Sequence, residues 1–163
     1  MFRRFLGLGQ RKPVQQAGQR LYAQLLEPPL LAEVLRLCQL SDTLSGRFAA
    51  LSLCAALVLD GREDRAQVER DLVGAMVADI DTALRERSLG DATVKKQAKN
   101  HAAALYGRLR AYQQALAQPE EAQAQAQAQV LRRNLYADTP SPSQEQALPQ
   151  VLPGLRSLLQ ALL

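Results

Sequence analysis

The residue types that could carry catalysis or bind a metal are scarce in this sequence. Its 163 residues include one histidine, His101, and two cysteines, Cys38 and Cys54. A cysteine nucleophile needs a neighbouring base, and a zinc site needs several His or Cys ligands at set spacings. Neither pattern occurs. Gly7-Leu8-Gly9 is not followed by a further glycine at the spacing of a phosphate-binding loop. We therefore expect no catalytic residues, no metal site and no cofactor.

Asp79 is the charged residue with the most unusual position. Leu72, Met76 and Ile80 are spaced four residues apart and form one apolar sector of a helix. Asp79 falls within that sector, whereas Asp81 falls outside it. A carboxylate near a core needs a partner, because an unpaired buried charge is costly. Arg47 and Arg108 are the candidate partners. A structural ion pair and a role in binding a partner protein are both open.

The positive charge of the chain lies on its N-terminal arm. The formal net charge is +4, yet residues 1–20 contain five basic and no acidic residues, so the remainder is close to neutral. We predict a flexible basic arm over residues 1–13. Its apolar and basic side chains suit a membrane surface or the ribosome. The contact candidates are Phe2, Arg3, Arg4, Phe5, Arg11 and Lys12.

Two successive segments carry opposite charge. Residues 60–86 are acidic overall, whereas residues 91–116 are basic, with Lys95, Lys96 and Lys99 expected to be exposed. Two explanations are open: the acidic helix neutralises the basic one, or the basic helix faces ribosomal RNA or lipid head groups. Specific DNA binding is not expected, and the sequence has no Trp and only 4% aromatic residues for base stacking.

The elements that must position these side chains are helices. Leu and Ala dominate, Ile occurs once, and apolar residues recur at spacings of three and four. We predict one compact all-α domain of six to seven helices over residues 14–163. The third helix, about residues 44–59, has no charge after Phe48 and should be central. The last segment should be interrupted near Pro149 and Pro153. No apolar run is long enough to span a bilayer.

Several short motifs occur in order along the chain. Asp42-Thr43-Leu44-Ser45-Gly46-Arg47-Phe48 precedes Met76-Val77-Ala78-Asp79-Ile80-Asp81-Thr82-Ala83-Leu84-Arg85-Glu86. Gly90-Asp91 and the lysines follow, and Tyr106-Gly107-Arg108 comes next. Over about residues 21–116, these motifs resemble the ubiquinol–cytochrome c chaperone family at the family's spacing.

The resemblance implies a non-catalytic chaperone for assembly of the cytochrome bc complex, respiratory complex III. It implies binding of newly made or unassembled cytochrome b, with an apolar groove that shields the client. A small partner protein, the ribosome and a peripheral membrane contact are further implied partners. We expect a bacterial cytoplasmic location, at the inner membrane if peripheral, or the organellar matrix if the source is eukaryotic. The alternative function is a ribosome- or RNA-associated module unrelated to respiration.

The motif positions supply the candidate contact residues. We expect Asp42 and Asp91 to cap helices, and Gly46 and Gly107 to permit close helix approach. Asp79 and its two candidate arginines would form one buried polar network. The candidates for binding a partner or client are Asp42, Thr43, Arg47, Asp79, Asp81, Arg85, Lys95, Lys96, Lys99, Tyr106 and Arg108.

Overall fold

The computed structural model describes residues 13–87 and 90–163, with side chains from residue 17 onward. Within these ranges the protein contains helices and no strands, which confirms the predicted all-α class. The predicted arm lies outside the described residues, apart from Pro13 at the start of the first helix. The helices are α1 (Pro13–Leu25), α2 (Pro28–Cys38), α3 (Leu44–Leu59), α4 (Arg65–Glu86), α5 (Asp91–Leu116), α6 (Glu120–Tyr136) and α7 (Pro142–Leu158).

Helix α3 is the centre of the fold, as its lack of charge predicts. Every residue from Ala49 to Leu59 is buried, and α1, α2, α4, α5 and α6 all contact this helix. The polar side chain within that stretch is satisfied locally, because the Ser52 hydroxyl donates to the Phe48 carbonyl at 2.5 Å. A helix that is apolar on all sides is stable in water only when other helices cover it.

The outer helices form a connected layer around α3. Helix α1 packs mainly on α4. Helix α4 also packs on α5, α5 packs on α6, and α7 covers α2. None of the helices in the described ranges combines the length and hydropathy that a bilayer crossing requires.

Helix α7 continues through both of its prolines, so the predicted interruption is wrong. Pro149 and Pro153 lie four residues apart on the exposed face, where the lost backbone bonds face solvent. Ser141 and Gln144 form a reciprocal capping box at the start. The opposite face is buried in the core through Leu148, Val151, Leu152 and Leu155. This burial, together with the cap, holds the helix despite its prolines.

The end of α6 and the start of α7 are joined to the end of α2 by hydrogen bonds. The buried Tyr136 hydroxyl donates to the Cys38 carbonyl at 2.7 Å. Gln39 has a left-handed backbone (φ 50°) and ends α2. Its carbonyl accepts from Gln144 Nε2 at 3.0 Å, and its Oε1 accepts from the Ser143 hydroxyl at 3.0 Å. These bonds place the start of α3 beside the end of α6.

The caps differ from those expected. Thr43, rather than Asp42, caps α3, because its hydroxyl accepts from the Gly46 backbone N–H at 3.0 Å. Asp91 is the first residue of α5, and Gly90 occupies its N-cap position. Both aspartates bind arginines instead. Asp42 accepts two charge-assisted bonds from Arg47, which outcompete a single cap bond, and Asp91 accepts one from Arg85.

Candidate functional site

A cleft of about 420 Å³ opens between the beginning of α3 and the end of α6. It has an apolar floor that includes Leu40, Ala49 and Leu135, and a polar rim of hydroxyl, amide and guanidinium groups. Two of its lining residues are arginines, Arg108 and Arg133, and none of the described residues that line it is acidic. The polar rim residues are Ser41, Thr43, Ser45, Arg108, Arg133, Asn134, Thr139 and Gln144.

Arg108 reaches the cleft from α5 and is held there without a carboxylate. Its Nη1 donates to the Asn134 carbonyl at 2.6 Å, near the end of α6. Its guanidinium carbon lies 5.0 Å from the centre of the Phe48 ring, within the range of a cation–π contact. Burial lowers the pKa of Arg108 from its ordinary value. An arginine stays charged in proteins, so this half-buried side chain carries its charge to the cleft.

The other wall of the cleft is the tight connection from α2 into α3. A Cβ on Gly46 would lie 2.0 Å from the Ser41 carbonyl oxygen, so this connection requires glycine. The close approach at Gly46 is therefore between α3 and the loop that enters it, and not an approach of another helix as predicted. The same prediction for Gly107 is wrong, because a Cβ there would meet nothing within 4 Å.

Asp42 and Arg47 form an ion pair across that connection. Arg47 Nε donates to Asp42 Oδ1 at 2.5 Å, and Arg47 Nη2 donates to Oδ2 at 3.1 Å. The hydrogen bond from Arg47 lowers the pKa of the Asp42 carboxyl and raises the pKa of Arg47. The pair is largely solvent-exposed, so its contribution to stability is small.

The predicted network of Arg47, Asp79 and Arg108 is not present. Arg47 pairs with Asp42, and Arg108 donates to a backbone carbonyl. Asp79 is half-buried, as its helical position predicts, but the polar group that bonds to it is the Tyr22 hydroxyl of α1. Burial raises the pKa of Asp79, an effect that the bond from Tyr22 partly offsets. Burial also raises the pKa of Tyr22, with a further increase from Asp79.

Asp79→Asn tests this description through the pH dependence of stability. The raised pKa of Asp79 means that the folded state binds a proton more tightly than the unfolded state. Its ionised form therefore destabilises the fold at neutral pH, and this penalty disappears as the pH falls through the raised pKa. An amide removes the charge and still accepts a bond from Tyr22. We expect the variant to be at least as stable as the parent at pH 7, with the difference shrinking towards pH 4.

Urea denaturation from pH 4 to pH 8 measures this difference. Asp81→Asn on the same helix is the matched control. Asp81 accepts a hydrogen bond from Arg85 at 2.8 Å on the surface. Asp81→Asn should therefore lower the free energy of unfolding at pH 7 by less than about 1 kcal/mol, whereas Asp79→Asn should not lower it. A variant at Asp79 that is clearly less stable than the parent at pH 7 would contradict the assigned penalty.

The oppositely charged helices α4 and α5 pack together. Their composition suggests ion pairs between acidic residues of α4 and basic residues of α5, but the described residues form no such pair. In the described ranges, the ion pair that joins them runs from Arg85 of the acidic helix to Asp91 of the basic helix. Arg85 also binds Asp81 of its own helix. The lysines of α5 take part in no ion pair within those ranges and are exposed, as predicted.

The outer face of α5 is a basic surface that contains a tyrosine. Lys95, Lys99, Tyr106 and Arg110 fall within about 60° of each other around the helix. Tyr106 is 43% exposed and, with Leu163, is one of two exposed large apolar residues in the described part of the chain. The described surface therefore has no cluster of exposed large apolar side chains, and the expected apolar groove is not open in this conformation.

The structure distributes the predicted site residues over separate places. Thr43 and Arg108 line the cleft, and Asp81 and Arg85 lie where α4 meets α5. Lys95 and Lys99 share the outer face of α5 with Tyr106, and the exposed Lys96 lies to one side of that face. The arm candidates lie outside the described residues. Reasoning from sequence missed the contribution of α6 to the cleft, because Arg133 and Asn134 match no motif and are distant in sequence from α3.

These features define a class: an all-helical domain with a polar cleft and a basic helix face. The part of the chain described contains no group of three or more His, Cys, Asp or Glu side chains that could hold a metal ion. The model of the ubiquinol-cytochrome C chaperone family matches residues 36–162, and the chain belongs to that family. This match begins after the predicted start near residue 21, extends beyond the predicted limit near residue 116, and includes α6 and α7.

A solved structure supports the assignment. The crystal structure of the Cbp3 homolog from Brucella abortus is 28% identical in sequence and superposes with a TM-score of 0.57. The similarity covers 89% of this chain and 79% of that one. No curated protein sequence gives a significant match.

Proposed function

We propose that this protein is a non-catalytic chaperone that binds newly made or unassembled cytochrome b during assembly of complex III. The observation that carries the proposal is the family match over residues 36–162. The similarity to the Cbp3 homolog supports the same role, since it extends over most of both chains.

The proposed contact surfaces are the cleft and the outer face of α5. A client segment that is apolar on one side and polar on the other would suit the cleft, which combines an apolar floor with a polar rim. The basic face of α5 suits a partner that bears negative charge. We place the protein on the cytoplasmic side of the inner membrane, with the N-terminal arm as a peripheral contact. We also propose that a small partner protein binds this chain.

Deletion of the gene in a strain that makes complex III tests the function. We expect loss of ubiquinol–cytochrome c reductase activity and of haem b, with both restored by the plasmid-borne gene. Cytochrome c oxidase activity with an artificial electron donor is the control, because a specific assembly factor leaves it unchanged. Normal haem b and reductase activity in the deletion strain would overturn the proposal.

The second candidate is a ribosome contact that operates outside respiration. It is favoured by the exposed Lys95, Lys96 and Lys99 on α5, which have no ion-pair partner in the described ranges. Binding to ribosomal RNA would weaken steeply with added salt, whereas contact with an apolar client would not. Salt-sensitive cosedimentation with ribosomes, in a deletion strain with normal haem b, would select this candidate.

A further inference from the structure

We propose that the cleft binds a carboxylate side chain, Asp or Glu, presented by a partner protein. This inference rests on the proposed function, since it describes how the same surface recognises its client or partner. Its starting point is Arg108, a half-buried cation at the cleft that forms no ion pair in the described ranges.

Arg108 has unused hydrogen-bonding capacity. A guanidinium has five N–H donors, and within the described residues Nη1 alone donates to a protein acceptor, the Asn134 carbonyl. That bond and the Phe48 ring fix the orientation of the group. The planar fork of a guanidinium matches the two oxygens of a carboxylate. A group held in this way is prepared to bind an anion with little loss of side-chain freedom.

The rest of the rim supports an anion at the same place. Arg133 brings a second positive charge, and the Ser41 and Ser45 hydroxyls can donate. The first turn of α3 also borders the cleft, and the dipole of that helix adds partial positive charge. The volume of about 420 Å³ is within the usual range of small ligand sites.

The acidic residues near the opening do not neutralise these arginines. Asp42 is bound by Arg47, and Glu145 is bound by Arg132. Asp138 is exposed and forms no ion pair with Arg108 or Arg133 in the described ranges. The positive charge inside the cleft is therefore left for an external anion.

The size and lining of the cleft indicate a protein carboxylate rather than a membrane or a nucleic acid. A bilayer surface or a phosphate backbone presents many anionic groups over a wide area, whereas two arginines, Arg108 and Arg133, line a cleft of about 420 Å³. Neither of the exposed large apolar residues in the described ranges, Tyr106 and Leu163, lines the cleft to anchor it in lipid. A single carboxylate on a narrow peptide segment therefore suits this cleft better than an extended anionic surface does.

Ser45→Asp with Ser45→Asn as its matched control tests the inference. Ser45 is exposed in the first turn of α3, where an aspartate is favourable for the helix, so both variants should fold. The new carboxylate would lie beside the arginines and compete with the ligand. The control side chain has nearly the same shape and no charge.

The probes are the peptide Ac-Ala-Ala-Glu-Ala-Ala-NH2 and its Gln counterpart, titrated into the full ¹⁵N-labelled chain. We expect the Glu peptide to shift the backbone amide resonances of residues 43–46 and 133–137, and the Gln peptide to leave them unchanged. Ser45→Asp should weaken binding at least about tenfold, equivalent to ~1.4 kcal/mol. Ser45→Asn should weaken it much less, because its amide N–H can replace the Ser45 hydroxyl as a donor. Inorganic phosphate and phosphatidylglycerol vesicles are titrated in parallel.

Each remaining outcome counts against the inference. Equal binding of the two peptides would show that the carboxylate is not recognised, and undiminished binding by Ser45→Asp would place recognition elsewhere. Saturation by phosphate or vesicles alone would assign the cleft to a different anion. The deletion experiment is independent of these results: normal haem b with intact Glu-peptide binding refutes the chaperone role and leaves the carboxylate site standing, whereas the reverse refutes the site alone.

Discussion

Gly18→Ala is expected to destabilise the protein by about 2–3 kcal/mol, because it introduces an atom where two helices meet. A Cβ at Gly18 would lie 2.7 Å from the Val68 carbonyl oxygen and 2.9 Å from the Leu72 backbone nitrogen. Both atoms belong to the backbone of α4, so relief requires α1 to move as a unit. That movement would loosen the packing of α1 on α4, which is the most extensive contact of α1.

Gly74→Ala on α4 is the control for this prediction. A Cβ at Gly74 would meet nothing within 4 Å, and the residue is exposed within a helix. Alanine should therefore stabilise the protein by about 0.5–1 kcal/mol, since it reduces the freedom of the unfolded chain. Chemical denaturation monitored by circular dichroism measures both changes. Similar effects of the two substitutions would mean that α1 does not approach α4 as closely as described.

Among Gly→Ala substitutions in the described residues, Gly46→Ala is expected to have the largest effect. It should lower the free energy of unfolding by roughly 3 kcal/mol or more. Its Cβ would lie 2.0 Å from the Ser41 carbonyl oxygen and 3.2 Å from the Ser41 carbonyl carbon. The loop before α3 would have to move away from the helix. The cap bond from the Gly46 N–H to Thr43 would then be strained or lost, at an added cost of about 1 kcal/mol.

Gly107→Ala on α5 provides the comparison, because it adds the same methyl group at an exposed helical position with nothing within 4 Å. We expect it to be neutral or mildly stabilising. Gly46→Ala should also displace Ser41 and Thr43 at the rim of the cleft, so it should weaken Glu-peptide binding as well as lower the denaturation midpoint. A Gly46 variant with the stability and binding of the Gly107 variant would show that the loop is more open than described.

Much of the fold could be predicted from local patterns. The charge-free run after Phe48 identified α3 as central, and the periodic apolar residues of α4 and α5 identified their buried faces. These predictions succeed because burial of a helix face depends on residue types within a few turns. The partial burial of Asp79 followed from the same periodicity.

Local patterns failed where an outcome depends on competition between alternative contacts. The prolines of α7 indicated an interruption, yet its buried face against the core outweighs the lost backbone bonds. Asp42 is a good cap by type, but Arg47 lies close enough to bind it, and Thr43 takes the cap position. Gly18 has no motif around it, and its importance depends on the backbone of α4.

The sequence by itself determined the helices, the central position of α3 and the family, because each depends on residue types and spacings along the chain. The tertiary structure decided which polar groups meet: Asp79 with Tyr22, Arg108 with the Asn134 carbonyl, and two arginines at one cleft. These groups are far apart in sequence, and several oppositely charged residues could have paired at similar cost. The crossing of the helices selects among such pairs, because a hydrogen bond forms only within about 3 Å and at a favourable angle.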